Sequence, residues 1–550
     1  MRALAALVFW WCAQLATAER VLLVPLDSRP AAGQFAQMIG NIAGVDVRMP
    51  PYELLGQFLK PGSPEAILAW LEAQDLSEVK AVVASSDMLA YGGLIASRTA
   101  ETPKALALNR MARLAGLKRK WPKTSLYVFS ATMRLAPTAT RSTASYRTEL
   151  ARLVEVRERY RISKSATDLV SLERLKARVP GSKLREYDAS RARNHAIQIE
   201  LVKMAGRGEF DYLVVGQDDA RPTGPHVPET QRLRQLVTKL NIGGRVYFCE
   251  GIDQHSNVLL SRALLRGQGW TPRIRVVYSD ELGRRKFANY ESKPIEASLS
   301  DQIIASGARL MGADGFYDYT LYLNTPARRD ESFVKFLTAL NEEVDQGFPV
   351  SVADINLQHD GTADPVLFEN LWKNGRMMKL LSFAGWNTAG NTMGTAIPAA
   401  NVYLLARRLG VDPLHRELTQ REFLLHRFVN DYAYHKFTRP AAYSLIDITR
   451  RASREETYGA EFHELEDFVK RDLGKHLATF FDEQFMGRRF FAGTGQFEFC
   501  GINGVRIFLP WPRAYEVRLE FKLEARAAAT AASGIREERA HTPPTASRRR

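Results

Sequence analysis

The sequence predicts an α/β fold: a (β/α)8-like barrel with a helical insertion and a smaller C-terminal α+β domain. Three observations lead there. First, one phrase recurs, an apolar run of strand length that stops at an acid or amide, as in Tyr212-Leu213-Val214-Val215-Gly216-Gln217-Asp218-Asp219. Near-continuous apolar runs suit strands buried on both faces, as parallel strands are. Second, helix-like amphipathic segments separate the runs, which makes βα units. Third, the units number roughly eight or nine, which suits a barrel; an open doubly wound sheet is the alternative arrangement.

At the N-terminus, Met1-Arg2, an apolar stretch over 3–15 and Ala16-Thr17-Ala18 form a basic start, an apolar centre and a small-residue exit. That is the pattern of a secretory signal peptide, too short to span a bilayer. Residues 1–18 are therefore read as a leader, and the mature protein as periplasmic or secreted, with no membrane span. Strands are predicted at 21–26, 81–84, 125–130, 212–215, 246–249, 274–278, 319–324, 350–354 and near 383. Helices are predicted at 64–73, 105–120, 231–240, 257–265 and 332–343. The long charged connection after Thr132 reads as a helical insertion, about 137–205, over the carboxyl ends of the strands. The barrel domain spans 19–400. Over 401–523 the pattern changes to helices at 402–409 and 420–434, then strands around Pro510-Trp511-Pro512. The segment 524–550, rich in Ala, Thr, Pro and Arg, reads as a disordered basic tail.

Composition narrows the function classes. The 550 residues are 45% hydrophobic with a formal net charge of +15, but Lys and Arg are spread along most of the chain. No RNA-binding, zinc-finger or helix-turn-helix signature stands out, so no nucleic-acid partner is expected. Cys249 and Cys500, beyond the leader's Cys12, are too few for a disulfide framework; pairing or two buried thiols are both open. There is no HxH or HExxH for zinc and no GxSxG elbow or Walker loop, and no metal ligand or cofactor is assigned, although Asp27, Asp87, Asp218, Asp219 and Asp253 could bind Mg2+ or Ca2+ through oxygens.

Candidate chemistry gathers at strand ends. Asp218 and Asp219 come first, because two close carboxylates cannot both ionise easily, and one then serves as general acid beside a charged partner. An Asp pair after a strand also caps helices or closes turns. Asp27 and Arg29 follow the first strand. Asp87 opens Asp87-Met88-Leu89-Ala90-Tyr91-Gly92-Gly93, where Tyr91 offers a ring for stacking, and Arg98 follows. Asp253 ends another run. Asp354, Asp360 and the Trp386-Asn387-Thr388-Ala389-Gly390-Asn391 stretch form a late cluster; Trp386 with Asn387 and Asn391 suits a carbohydrate contact.

Four phrases carry a family resemblance: Pro25-Leu26-Asp27-Ser28-Arg29-Pro30, Ser86-Asp87-Met88-Leu89-Ala90-Tyr91-Gly92-Gly93-Leu94, Gly216-Gln217-Asp218-Asp219-Ala220 and Gly385-Trp386-Asn387-Thr388-Ala389-Gly390-Asn391-Thr392. Together they resemble an exported bacterial family catalogued as a domain of unknown function, over about 20–522. One departure is Gln254, where the resemblance leads one to expect an acid. A looser likeness is to the substrate-assisted hexosaminidases, whose paired acids follow a fourth barrel strand. It implies that Asp218 orients a 2-acetamido group and Asp219 protonates the leaving oxygen. The reading is an exported glycoside hydrolase acting on a carbohydrate or cell-wall substrate, including N-acetylhexosamine glycans. The alternatives are a non-catalytic carbohydrate-binding protein and an Mg2+- or Ca2+-dependent hydrolase.

Overall fold

The apolar runs form parallel strands, and alternate side chains enter different cores. In β1 (Arg20–Val24), Val21 and Leu23 face one core while Leu22 and Val24 face another. That is the two-faced burial expected of a parallel sheet covered by helices. The computed structural model describes residues 19–528 apart from 312–314, 327–328, 359–360 and 450–452. The leader, most of the basic tail and Asp360 lie outside the described residues.

β1 is followed by β2 (Asp46–Arg48), β3 (Val79–Ser85), β4 (Ser125–Thr132), β5 (Tyr212–Gln217) and β6 (Val246–Glu250). These form a six-stranded parallel sheet in the order β2-β1-β3-β4-β5-β6. A second parallel sheet holds β7 (Arg273–Tyr278), β8 (Arg309–Leu310), β9 (Tyr319–Asn324), β10 (Val350–Asp354) and β11 (Ser382–Ala384), ordered β8-β7-β9-β10-β11. In each sheet the first strand sits between the second and the third. The antiparallel β12 (Arg489–Ala492), β13 (Gly495–Phe508) and β14 (Arg518–Ala527) complete the set.

The expected barrel is thus corrected: both parallel sheets are open. A βα alternation of buried strands is common to barrels and open sheets, and only pairing decides between them. Here β6 pairs with β5 and β7 with β8 and β9, so the strand series divides instead of closing. The short β2 also intervenes, so β5 is not the fourth strand that the hexosaminidase likeness required.

The two sheets share one core. It contains Tyr127 and Phe129 of β4, Leu321 and Leu323 of β9, and Leu259 and Ile397 from the helices His255–Gly267 and Ala389–Arg408. The opposite face of the first sheet packs on helices such as Lys104–Lys120. The opposite face of the second shares its core with Gly459–Gln484 and the antiparallel sheet. The insertion forms Arg147–Ser163, Ala166–Lys176 and Gly181–Gly206 around Leu150, Leu153, Leu172 and Tyr187.

The helix expected at 402–409 is longer, Ala389–Arg408, because its small and apolar first half is buried all round and shows no amphipathic stripe. The next helix, Pro413–Phe428, runs into a π-helix, Val429–Thr438. Cys249 and Cys500 are both free thiols. Among the described residues no helix is long and apolar enough to cross a membrane.

Candidate functional site

In an open parallel sheet, ligands bind beyond the carboxyl ends of the strands, where the strand order reverses. In the first sheet that point lies between β1 and β3. The chain leaving β1 supplies Asp27 and Arg29, and the chain leaving β6 supplies Asp253. Arg29 joins the two acids with one flat guanidinium. Its Nε donates to the Asp27 oxygens at 3.0 and 3.1 Å, and its Nη2 donates to Asp27 Oδ2 at 2.7 Å. On the other edge Nη2 and Nη1 donate to Asp253 at 2.7 and 3.1 Å. All three side chains are nearly buried, and such forked pairing holds planar charges in register. Burial pushes the Asp253 carboxyl up against the pull of Arg29.

β5 ends at Gln217 and presents Asp218 and Asp219. Arg98 Nη2 donates to Asp218 Oδ2 at 2.6 Å, and Arg98 Nη1 donates to Thr138 Oγ1 at 3.0 Å. Asp219 pairs instead with Arg134, just after β4. Burial opposes ionisation of Asp218, but Arg98, Arg134 and Arg29 outweigh it and hold its carboxyl below the usual range. Burial pushes Asp219 above that range against the pull of Arg134, and the charge on Asp218 adds to the push. Neighbouring acids are therefore drawn toward opposite protonation states. The Asp218 side chain is 6% exposed and that of Asp219 25%, so the site opens to solvent on the Asp219 side.

Asp87 lies beneath this pair. It accepts the Ala131 amide at 2.8 Å and the Ser86 hydroxyl at 3.4 Å, and burial pushes it up to about 7. The chain then turns at Gly92 and Gly93, with φ of 97° and 117°. A Cβ on Gly92 would meet the Gly62 carbonyl at 2.9 Å, so this turn needs glycine to bring Arg98 back over the site.

The second and third sheets close the arrangement. Asn387, after β11, sits in the left-handed region with φ 58°, which Asn tolerates. Its Nδ2 reaches Asp253 Oδ2 at 3.5 Å, and its Oδ1 accepts the Tyr515 hydroxyl at 3.0 Å. The Trp511 ring lies 5.0 Å from the Arg29 guanidinium, and its Nε1 donates to Ser28 Oγ at 2.9 Å. Asp431, in the π-helix, accepts the Gly385 amide at 3.0 Å and steadies the Asn387 turn. It is itself paired at 3.0 Å with the fully buried Arg427.

This constellation spans a region that matches one known family. Residues 21–520 match the family described as Protein of unknown function (DUF4127). The chain belongs to that family. No curated protein matches it.

Of the residues singled out in this DUF4127 member, Asp27, Arg29, Asp253 and Asn387 form one hydrogen-bonded group, and the Arg98–Asp218 and Arg134–Asp219 pairs stand within electrostatic reach of it, as Asp87 does of Asp218. Others lie elsewhere. The Tyr91 ring is 5% exposed and covered by the Arg193 guanidinium at 4.2 Å, which leaves no open face for stacking. Trp386 is a core residue, edge-on to Phe35 at 5.7 Å, with its Nε1 on Thr395. Asp354 belongs to a separate buried group with Asn324 and Asp364, and burial and the Asp364 charge push it up to about 7. Asn391 is buried in the first turn of Ala389–Arg408.

Arg134, Trp511 and Tyr515 are additional members. Arg134 stands just past a strand end, as the acids do, so its position carries the same signal in a cation. Trp511 and Tyr515 carry no local signal, because their partners lie 483 and 128 residues away in the chain. Among the described residues no three His, Cys, Asp or Glu side chains group to hold a metal ion.

Proposed function

We propose that the site at the β1/β3 switch point is the active site of an exported glycoside hydrolase. One observation carries the reading: Asp218 and Asp219 are adjacent, paired to different arginines and drawn toward opposite protonation states. Cleavage of a glycosidic bond needs a protonated acid at the leaving oxygen and an ionised carboxylate opposite or beside it. Asp219, the more exposed and the more readily protonated, is the proposed acid. Asp218, kept ionised by Arg98, is the proposed partner that orients or stabilises the sugar. Asn387 and Tyr515 at the rim supply the mixed donors and acceptors that hydroxyl groups require. The leader-like pattern of residues 1–18 supports the exported part of the reading.

The test is sugar release from a panel of aryl glycosides and cell-wall glycans. Wild type releases sugar from at least one substrate; Asp219→Asn does not, while melting near the wild-type temperature. An Asp219→Asn variant as active as wild type refutes the assignment.

A second reading rests on the complete pairing of Asp27, Asp253, Asp218 and Asp219 with arginines, which suits a carbohydrate-binding protein without catalysis. It predicts glycan binding that survives Asp219→Asn and no turnover by wild type.

A further inference from the structure

Behind Asp253, the helices His255–Gly267, Ile295–Ala305 and Ala389–Arg408 meet the end of β6. The Glu250 backbone carbonyl there accepts Gln254 Nε2 and Gln302 Nε2, each at 2.8 Å. These bonds fix which way both amides face, because a flip would lose them. The consequence is a surplus of acceptors. Gln254 Oε1, Gln302 Oε1, Asn391 Oδ1 and Glu291 Oε2 are buried, and none has a hydrogen-bond partner among the described residues. The other Glu291 oxygen accepts the Gly390 amide. The Ser298 hydroxyl lies near Glu291 but makes no bond of normal geometry.

Glycines leave the room that these side chains fill beside the Glu250 carbonyl. A Cβ on Gly251 would lie 2.8 Å from both Asn391 Oδ1 and Gln254 Oε1, and one on Gly394 would lie 2.9 Å from Gln302 Oε1. A Cβ on Gly390 would lie 2.7 Å from the Glu250 carbonyl oxygen and 3.2 Å from Glu291 Oε1, the oxygen that accepts the Gly390 amide, so Glu291 also stands beside this carbonyl. Each unsatisfied buried acceptor costs about 1–3 kcal/mol, so a cluster of acceptors with too few donors asks for a positive occupant. A carboxylate with amide carbonyls, and no thiol or imidazole, is the donor set of a hard cation. Glu250, Glu291 and Asp301 outnumber the single lysine beside them among the described residues, Lys293, which pairs with Asp301. Amide carbonyls favour Ca2+ over Mg2+, which demands an octahedron and retains its waters.

We propose that Gln254, Gln302, Asn391 and Glu291 form a buried Ca2+ site that ties the end of β6 to the three helices and so fixes Asp253. The proposal is independent of the hydrolase reading, because its readout is ion binding. EDTA-treated full-length protein is titrated with Ca2+ by calorimetry, with Mg2+ and Na+ as parallel arms, and melted with and without each ion. The expected result is one Ca2+ per chain, a higher melting temperature with Ca2+, and a weaker or absent Mg2+ response. Glu291→Gln and Gln302→Ala should each weaken Ca2+ by at least about tenfold, and Gln254→Glu, which adds a carboxylate, should tighten it by about tenfold. Should Glu291→Gln fail to fold, the other two variants still decide. Absence of Ca2+ binding by wild type, or equal affinity in all variants, overturns the proposal in favour of trapped water. An equal response to Mg2+ overturns the assignment of the ion.

Discussion

At the scale of single residues, the site is governed by how burial and pairing divide protons among its acids. Arg29 bridges Asp27 and Asp253 with one cation. Arg29→Met would remove the cation that both buried acids share, leaving Asp27 the residue-29 amide and Asp253 the 3.5 Å contact from Asn387, and should destabilise the fold by about 3–5 kcal/mol in denaturant titrations. A loss below about 1 kcal/mol would mean that the pairing is solvated and weak. Asp87 behaves oppositely, because its burial favours the neutral form. Its folded-state value, about 7, exceeds that of an unfolded aspartate, about 3.9. Between those values the folded protein keeps a proton that the unfolded chain releases, so stability falls as pH rises through that window. Asp87→Asn keeps an acceptor for the Ala131 amide and removes this loss. The variant should match wild type near pH 3 and exceed it near pH 8 by up to about 4 kcal/mol. An unchanged pH dependence of denaturation would show that Asp87 stays ionised.

At the scale of elements, the site depends on the turn that leaves each strand. The Asn387 turn is held from behind by the π-helix, through the Asp431 contact to Gly385 and the buried Arg427–Asp431 pair. Asp431→Ala strands the Arg427 charge and frees the turn, so it should cost about 3–5 kcal/mol, whereas Arg427→Met with Asp431→Asn should cost less. Denaturant midpoints of the single and double variants decide this, and equal losses would contradict it. Much of this level is legible in the sequence, because an apolar run ending in a polar residue marks a buried strand and its functional end together. Asp27, Asp218, Asp219, Asp253 and Asn387 all stand at such ends. β2 and β8 are not legible, since three and two residues carry no periodicity. Trp386 and Tyr91 differ from expectation because an aromatic ring beside a polar turn reads alike whether it packs inward or faces a ligand. Arg134 also stands at such an end, but a cation in a basic chain reads as solvated surface until its buried partner is known.

At the scale of the whole molecule, closure of the sheets cannot be read locally. Whether β6 meets β7 depends on long-range pairing, and the sequence pattern of a strand is the same in both outcomes. The resulting pair of open sheets shares one core through the helices His255–Gly267 and Ala389–Arg408. Equilibrium unfolding should therefore proceed in a single cooperative transition, with fluorescence and far-ultraviolet circular dichroism coincident; two separated transitions would show that the sheets unfold independently. The same architecture explains why the site draws on every sheet: Arg29 from the first, Asn387 from the second, and Trp511 and Tyr515 from the antiparallel third. The central claim, that this junction is a hydrolytic site run by Asp218 and Asp219, is tested most directly by sugar release from glycosides by wild type and by Asp219→Asn at matched stability. Turnover by wild type that vanishes in Asp219→Asn is the predicted result. No turnover by wild type across the panel, or full turnover in the variant, would contradict it.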